Sequence, residues 1–391
     1  MSMADFRYDI VKDPEVFMEN RLTAHSDHEY YSSKEAAAGV SDFKYSLNGI
    51  WRFAYARNYD LAPKDFWKKE FDSRKWDTIR VPAHIQMEGY GHPQYVNVQY
   101  PWDGYENIKP GEIPESFNPI ASYVKYFDLP DFMREKRVFV SFQGAESGLA
   151  LWLNGHYVGY AEDSFTPSEF ELTKFIDPEG ENKLAAQVFR FTAGSWCEDQ
   201  DFFRFSGIFR DVYLYTIPDV HIRDLKIQTL LDEDYRDAVL SVDLDCIGDG
   251  KAELNLYDGD RVIACGKAAL TGGISHVSIP VSAPKKWSAE KPDLYRLEIE
   301  ISDSCGTICE FICEKVGFRR FEIKDHVMCL NGKRIVFRGV NRHEFSARSG
   351  RVVTYEDMVT DVRTMKRNNI NAIRTSHYPN RTELYRLCDE Y

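Results

Sequence analysis

Residues 335–377 constrain this chain more than any other stretch. Ile335-Val336-Phe337-Arg338-Gly339-Val340 reads as a strand running into the loop Asn341-Arg342-His343-Glu344-Phe345. Ile370-Asn371-Ala372-Ile373-Arg374-Thr375 reads as a second strand, followed by Ser376-His377-Tyr378-Pro379-Asn380. Between them, Tyr355, Met358, Val359, Val362 and Met365 recur at helical spacing. Thr354 and Asp357 form a capping box at the start, and Asn368-Asn369 ends the run. Strand, helix and strand joined by short links imply parallel strands and a right-handed crossover. That is the opening unit of an α/β barrel, whose active sites lie in the loops after the strands. Both loops carry a histidine, so His343 and His377 are expected to face one pocket. A barrel needs about 250 residues. The stretch from residue 319 to Tyr391 is expected to hold only its first units.

The rest of the chain reads as β-structure. Over residues 1–217, Trp51, Phe53 and Tyr55 alternate along one strand, and Val138, Val140 and Phe142 along another. Asn154-Gly155 marks a tight hairpin, because both residues tolerate positive φ. Many short strands with turn residues between them predict a jelly-roll β-sandwich. Over residues 218–318, Leu240, Val242, Leu244 and Cys246 share one strand face, and Asp258-Gly259 marks a turn. About a hundred residues of this kind predict an immunoglobulin-like β-sandwich. The fold class is therefore mostly β and multidomain: residues 1–217 jelly roll, 218–318 immunoglobulin-like, and 319–391 the start of an incomplete TIM barrel.

Composition narrows the partners. The chain has 391 residues, 43% of them hydrophobic, and a net charge of -13. An acidic surface repels phosphates, which argues against nucleic acid. No apolar run approaches the ~20 residues that span a bilayer, and the amino terminus lacks a signal-peptide core. A cytoplasmic location and no membrane partner are the expectation. The eight cysteines include no CxxC pair. Cys309 and Cys313 lie on one strand, roughly 13 Å apart at ~3.3 Å per residue, too far to share a metal. Buried, reduced thiols are expected. Asp243, Asp245 and Asp249 lack the spacing of a calcium loop and read as a solvated strand face.

Several mechanisms are excluded. His343-Glu344 begins like a zinc protease motif, but the residue four after His343 is Ala347. There is no Gly-x-Ser-x-Gly elbow and no phosphate loop. Three polar groupings remain. Asn341, His343, Glu344, Arg374 and His377 sit near the two strand ends. A neutral imidazole donates one hydrogen bond and accepts another, which suits sugar hydroxyls. Arg374, inside a strand, is expected to be buried beside a carboxylate. The second grouping is Glu198-Asp199-Gln200-Asp201, in an aromatic run to Asp211. The third is Asn97 among Tyr95, Tyr100 and Trp102.

Taken together, these motifs resemble glycoside hydrolase family two, and within it the enzymes acting on β-galactosides. The resemblance spans essentially the whole chain: Tyr95 to Pro101, Leu151-Trp152-Leu153-Asn154-Gly155, Asp163 to Phe170, Glu198 to Asp211, Trp287 to Tyr295, Arg338 to Glu344, and Ser376 to Asn380. It implies that Asn97 and Asp201 reach from the jelly roll into the galactose site. It implies that Asp201 shares a sodium ion, that His343 and His377 bind galactose hydroxyls, and that Arg374 orients the nucleophilic carboxylate. Asn341 and Glu344 are supporting residues. Family catalysis is retaining, with an acid/base and a nucleophilic glutamate ~5–5.5 Å apart. Both glutamates and the main magnesium site are expected after Tyr391, so residues 1–391 alone are expected to be inactive. The implied partners are a β-galactoside such as lactose and further copies of the full-length enzyme in a homo-oligomer. Two alternatives stay open: a non-catalytic galactose-binding module, and a β-glucuronidase or β-mannosidase of the same family.

Overall fold

The computed structural model describes residues 5–198 and 201–391. Strands dominate; among the described residues the α-helices are Tyr355–Arg367 and Thr382–Glu390. None of the described helices is long and apolar enough to cross a membrane.

The first layer pair is the expected jelly roll. A seven-stranded sheet faces a four-stranded sheet built on Val138–Phe142 and Val212–Thr216. Period-two alternation explains the packing. Trp51, Phe53, Leu149 and Leu151 from the large sheet meet Val138, Val140, Phe142 and Leu214 from the small one in a single core. The central strands Gly148–Leu153 and Asn182–Phe189 are buried on both faces. Their outer face carries Ala150, Trp152, Ala185 and Phe189, covered by Ile10, Val11 and Phe66. Asn154 and Gly155 adopt φ of 51° and 89°, as the hairpin requires.

The second sandwich differs from a run of short strands. Ala238–Asp258 and Arg261–Val281 are each 21 residues long and pair with one another along most of their length. A register break between Cys246 and Asp249 bends the first of them. Gly248 sits at that bend with φ of 80°, and a Cβ there would fall 2.3 Å from the Asp219 carbonyl oxygen. The bend lets one strand serve two layers. Its first half pairs with His221–Leu231 and its second with Tyr295–Asp303. Leu240, Val242 and Leu244 then share a core with Leu254, Leu256, Leu297 and Ile299. The amino-terminal strand Tyr30–Tyr31 adds to this sheet through Ile308–Val316, so an early segment of the chain packs in the second sandwich.

The cysteines are all free, as expected, but they are not uniformly buried. Cys197, Cys265 and Cys305 are exposed, whereas Cys246 and Cys329 are buried. Asp243 and Asp245 pair with His276, Lys226 and Arg223 along an open strand face.

The barrel opening follows. Gly339–Arg342 and Ala372–Thr375 are parallel, connected through Tyr355–Arg367. The first strand begins later than the apolar run Ile335-Val336-Phe337 predicts, and Val336 and Phe337 are exposed. Thr354 Oγ1 accepts from the Asp357 amide at 3.1 Å, and the Asp357 carboxylate accepts from the Thr354 amide at 3.0 Å, completing the capping box. Met358 and Val362 bury that helix against Leu384 and Leu387 of the second helix.

Candidate functional site

The parallel register decides which barrel side chains share a face. Asn341 pairs with Arg374, and Arg342 with Thr375. Arg342 points to the helix side, where it pairs with Asp361 at 2.9 Å and donates to Asn380 Oδ1 at 2.9 Å. Asn341 and Arg374 therefore lie on the opposite face, and both are exposed. Arg374 is not the buried ion pair expected from its strand position. It donates to Asn341 Oδ1 and Ser376 Oγ, each at 3.4 Å, and no carboxylate pairs with it among the described residues. The physical reason is alternation: the arginine on the packed face of this strand pair is Arg342, one register step away.

His343 and His377 follow these strands and meet as expected. Their rings are 5.5 Å apart at 89°, edge to face, and the His343 ring lies 6.2 Å from that of Tyr378. Burial, chiefly, and then the neighbouring His377 push the His343 imidazole below its ordinary pKa, with Asp201 opposing. His343 is therefore neutral at neutral pH, able to donate one hydrogen bond and accept another. The Asp201 charge bears on His343, and Phe345, two residues beyond His343, stacks on Phe203, two residues beyond Asp201, with ring centres 5.2 Å apart.

Asp201 and Asn97 come from a two-stranded ribbon on the jelly roll. Gln94–Val96 pairs antiparallel with Phe202–Arg204, with Val96 opposite Phe202 and Tyr95 opposite Phe203. Asn97 directly follows the first of these strands and Asp201 directly precedes the second. The Tyr95 hydroxyl donates to Asp201 Oδ1, which fixes the carboxylate. Asn97 is exposed. Asp199 and Gln200 lie outside the described residues. Glu198 does not add a second charge to Asp201: burial pushes its carboxyl up to about 8, against the opposing Ser164 hydroxyl bond of 2.9 Å.

Glu344 is a structural tie. It is fully buried, pairs with Arg210 at 2.8 Å, and accepts from the Arg381 amide at 2.8 Å. Arg210 also donates to the Pro379 carbonyl at 2.7 Å, so one jelly-roll arginine holds both barrel loops. A second tie had no signal in the sequence. Arg351, on the loop after His343, pairs with Glu146 and donates to the Phe203 carbonyl at 2.7 Å. Its guanidinium sits 4.8–5.8 Å from the rings of Phe165, Phe202, Phe205, Phe209 and Tyr378. These ties set the ribbon that carries Asp201 against the loop that carries His343.

The donor set tests the expected metals. The Asp201 carboxylate is a hard oxygen donor of the kind sodium takes, and it would be one ligand of the several such an ion needs. Among the described residues no group of three His, Cys, Asp or Glu could hold a metal.

Three family models match in succession. Residues 44–218 match the sugar binding domain of glycosyl hydrolases family 2, 220–319 a further domain of that family, and 321–391 its TIM barrel domain. The chain belongs to glycosyl hydrolase family 2. Its relatives include a β-galactosidase of Halalkalibacterium halodurans, 52% identical over 97% of this chain and 38% of that protein. A β-galactosidase of Streptococcus thermophilus is 49% identical over 100% of this chain and 38% of its own length. The chain thus spans about two fifths of the length of these two curated relatives. Among solved structures, Bacteroides uniformis β-glucuronidase 2 superposes with a TM-score of 0.74 at 24% identity, covering 89% of this chain and 41% of that one. At that identity the likeness shows the shared family 2 fold.

The lowered pKa of His343 has a measurable consequence. A site that binds sugar through neutral imidazole keeps its affinity above the ordinary imidazole pKa of about 6.5. Sugar held by His343 is expected to be released as acid protonates the ring, which happens below that value because its pKa is depressed. Galactose titrations between pH 5 and 8 are expected to show a plateau on the alkaline side and loss on the acid side. The opposite trend would contradict this assignment.

Proposed function

We propose that the protein carrying this chain is a β-galactosidase, a retaining hydrolase of terminal β-D-galactosides such as lactose. The observation that carries this reading is the edge-to-face pair His343 and His377 beside a carboxylate from another domain, Asp201. An uncharged His343 imidazole, the His377 ring beside it and a tethered carboxylate offer donors and acceptors to vicinal hydroxyls. The curated relatives at 52% and 49% identity carry the name β-galactosidase, which supports the galactoside over a glucuronide or mannoside.

In this reading Asn97, Asp201, His343 and His377 bind and orient the galactosyl unit. Arg374, on the open face with Asn341, is free to turn towards the nucleophilic carboxylate. Asp201 also contributes one oxygen to a sodium ion. Glu344 takes no chemical role, since Arg210 and the Arg381 amide hold its carboxylate. The acid/base and nucleophilic carboxyls, ~5–5.5 Å apart in retaining enzymes, and the magnesium ligands come from outside residues 1–391. A cytoplasmic, homo-oligomeric full-length enzyme completes the proposal.

Chromogenic β-glycosides differing only in the sugar test it. The complete protein is expected to favour the galactoside over the glucuronide and mannoside by about a hundredfold or more in kcat/KM, because unpaired polar groups in a site discriminate strongly. Residues 1–391 alone are expected to turn over none of them. Preference for the glucuronide or mannoside would reassign the sugar, and binding without turnover by the complete protein would favour a non-catalytic galactose-binding module.

A further inference from the structure

His343 stands between two residues that each grip the loop of the other histidine. Before it comes Arg342, whose guanidinium forks. Nε meets the Asp361 carboxylate on the helix Tyr355–Arg367 at 2.9 Å, and Nη1 donates to Asn380 Oδ1 at 2.9 Å. After it comes Glu344, which accepts from the Arg381 amide at 2.8 Å. Asn380 and Arg381 are the third and fourth residues beyond His377. The two loops are therefore fastened on both sides of His343. The Ser376 amide, donating to the Arg342 carbonyl at 3.0 Å, closes the same seam. Asn380 carries the constraint onward. Its Nδ2 donates to the Tyr378 carbonyl at 3.0 Å, and its amide donates to the Tyr385 hydroxyl of the second helix at 3.0 Å. Tyr378 directly follows His377, and its ring lies 6.2 Å from that of His343. Arg342, Asn380 and Tyr378 are all buried by the chain itself.

Two imidazoles that hold one sugar ring must keep a fixed separation, since a misplacement of about 1 Å costs on the order of a hundredfold in rate. We propose that Arg342 and Asn380 are positioning residues that act through His377: the bond between them sets the placement of that ring against His343, 5.5 Å away at 89°. The inference rests on the reading that both rings hold the sugar, and it names what holds the rings. It also accounts for the residue types. Only a planar fork serves Asp361 and Asn380 at once, which a lysine ammonium on a flexible stem does not do. A buried carboxamide accepts from Arg342 with one end and donates to the Tyr378 carbonyl with the other.

A double-mutant cycle in the complete protein tests this, read as kcat/KM on whichever of the β-galactoside, β-glucuronide and β-mannoside is turned over best. Asn380→Ala is expected to lower kcat/KM about tenfold on its own and less than about twofold beside His377→Phe, because a residue that acts through His377 then has nothing left to position. Arg342→Lys keeps a charge for Asp361 and gives up the fork, so it is expected to show the same pattern, and it replaces Asn380→Ala should that variant not fold. A residue that merely supports the fold lowers kcat/KM by the same factor in both backgrounds, and that result overturns the proposal. Unaltered kinetics in Asn380→Ala overturns it too. Should neither variant fold, the pair serves stability rather than placement, and the proposal falls. The underlying reading fails separately. If His377→Phe alone leaves kcat/KM unchanged, the sugar-binding role of that ring falls and the brace with it. If the glucuronide or mannoside is preferred, only the sugar is reassigned, and the cycle still decides the brace.

Discussion

Arg351→Met is expected to destabilise the chain by about 3–5 kcal/mol, the cost of leaving a buried carboxylate without its cation. The Arg351 and Glu146 side chains are 1% and 4% exposed, so solvent screens neither charge. Methionine fills much of the arginine's volume but leaves Glu146 unpaired and the Phe203 carbonyl without its donor. It also removes a guanidinium enclosed by five aromatic rings. Urea unfolding measures the loss. The double variant Glu146→Gln/Arg351→Met separates causes: with no charge left to strand, it is expected to recover a large part of the stability. A double variant as unstable as the single one would show that packing, not charge, is at issue. Because Arg351 holds the strand that follows Asp201, the single variant is also expected to weaken sugar binding under conditions where it remains folded.

Asp201→Ala and His377→Phe are expected to lower galactoside kcat/KM by roughly ten- to a hundredfold each, the cost of about 1–3 kcal/mol for a sugar hydroxyl left without its partner. Neither residue anchors the fold. Asp201 bonds only Tyr95 among the described side chains, and His377 meets His343 through its ring. Stability should therefore change little while kcat/KM falls. A variant with unaltered kinetics would remove its residue from the site.

The fold was legible where local chemistry and tertiary demand agree. Trp51, Phe53, Val138, Val140 and Phe142 alternate in the sequence and enter one core in the structure. Thr354 and Asp357 cap the helix as their spacing requires. His343 and His377 were recognisable because loops after successive parallel strands converge. What remained hidden depends on contacts between domains. Arg351 follows a glycine in a loop without periodicity, and only the jelly roll's Glu146 and Phe203 give it a role. Arg374 and Arg342 are equally plausible as buried strand arginines until the register shows which face packs against the helix. The 21-residue strands of the second sandwich read as several short ones because a single bend at Gly248 interrupts their alternation.

Imidazole signals report directly on whether His343, His377 and Asp201 act as one sugar site. In histidine-labelled protein at pH 7.5, where His343 is neutral, galactose is expected to shift the ring resonances of His343 and His377 together, with a single dissociation constant, and Asp201→Ala is expected to weaken both shifts equally. Resonances that move with different constants, or an Asp201→Ala protein that titrates unchanged, would contradict a common site.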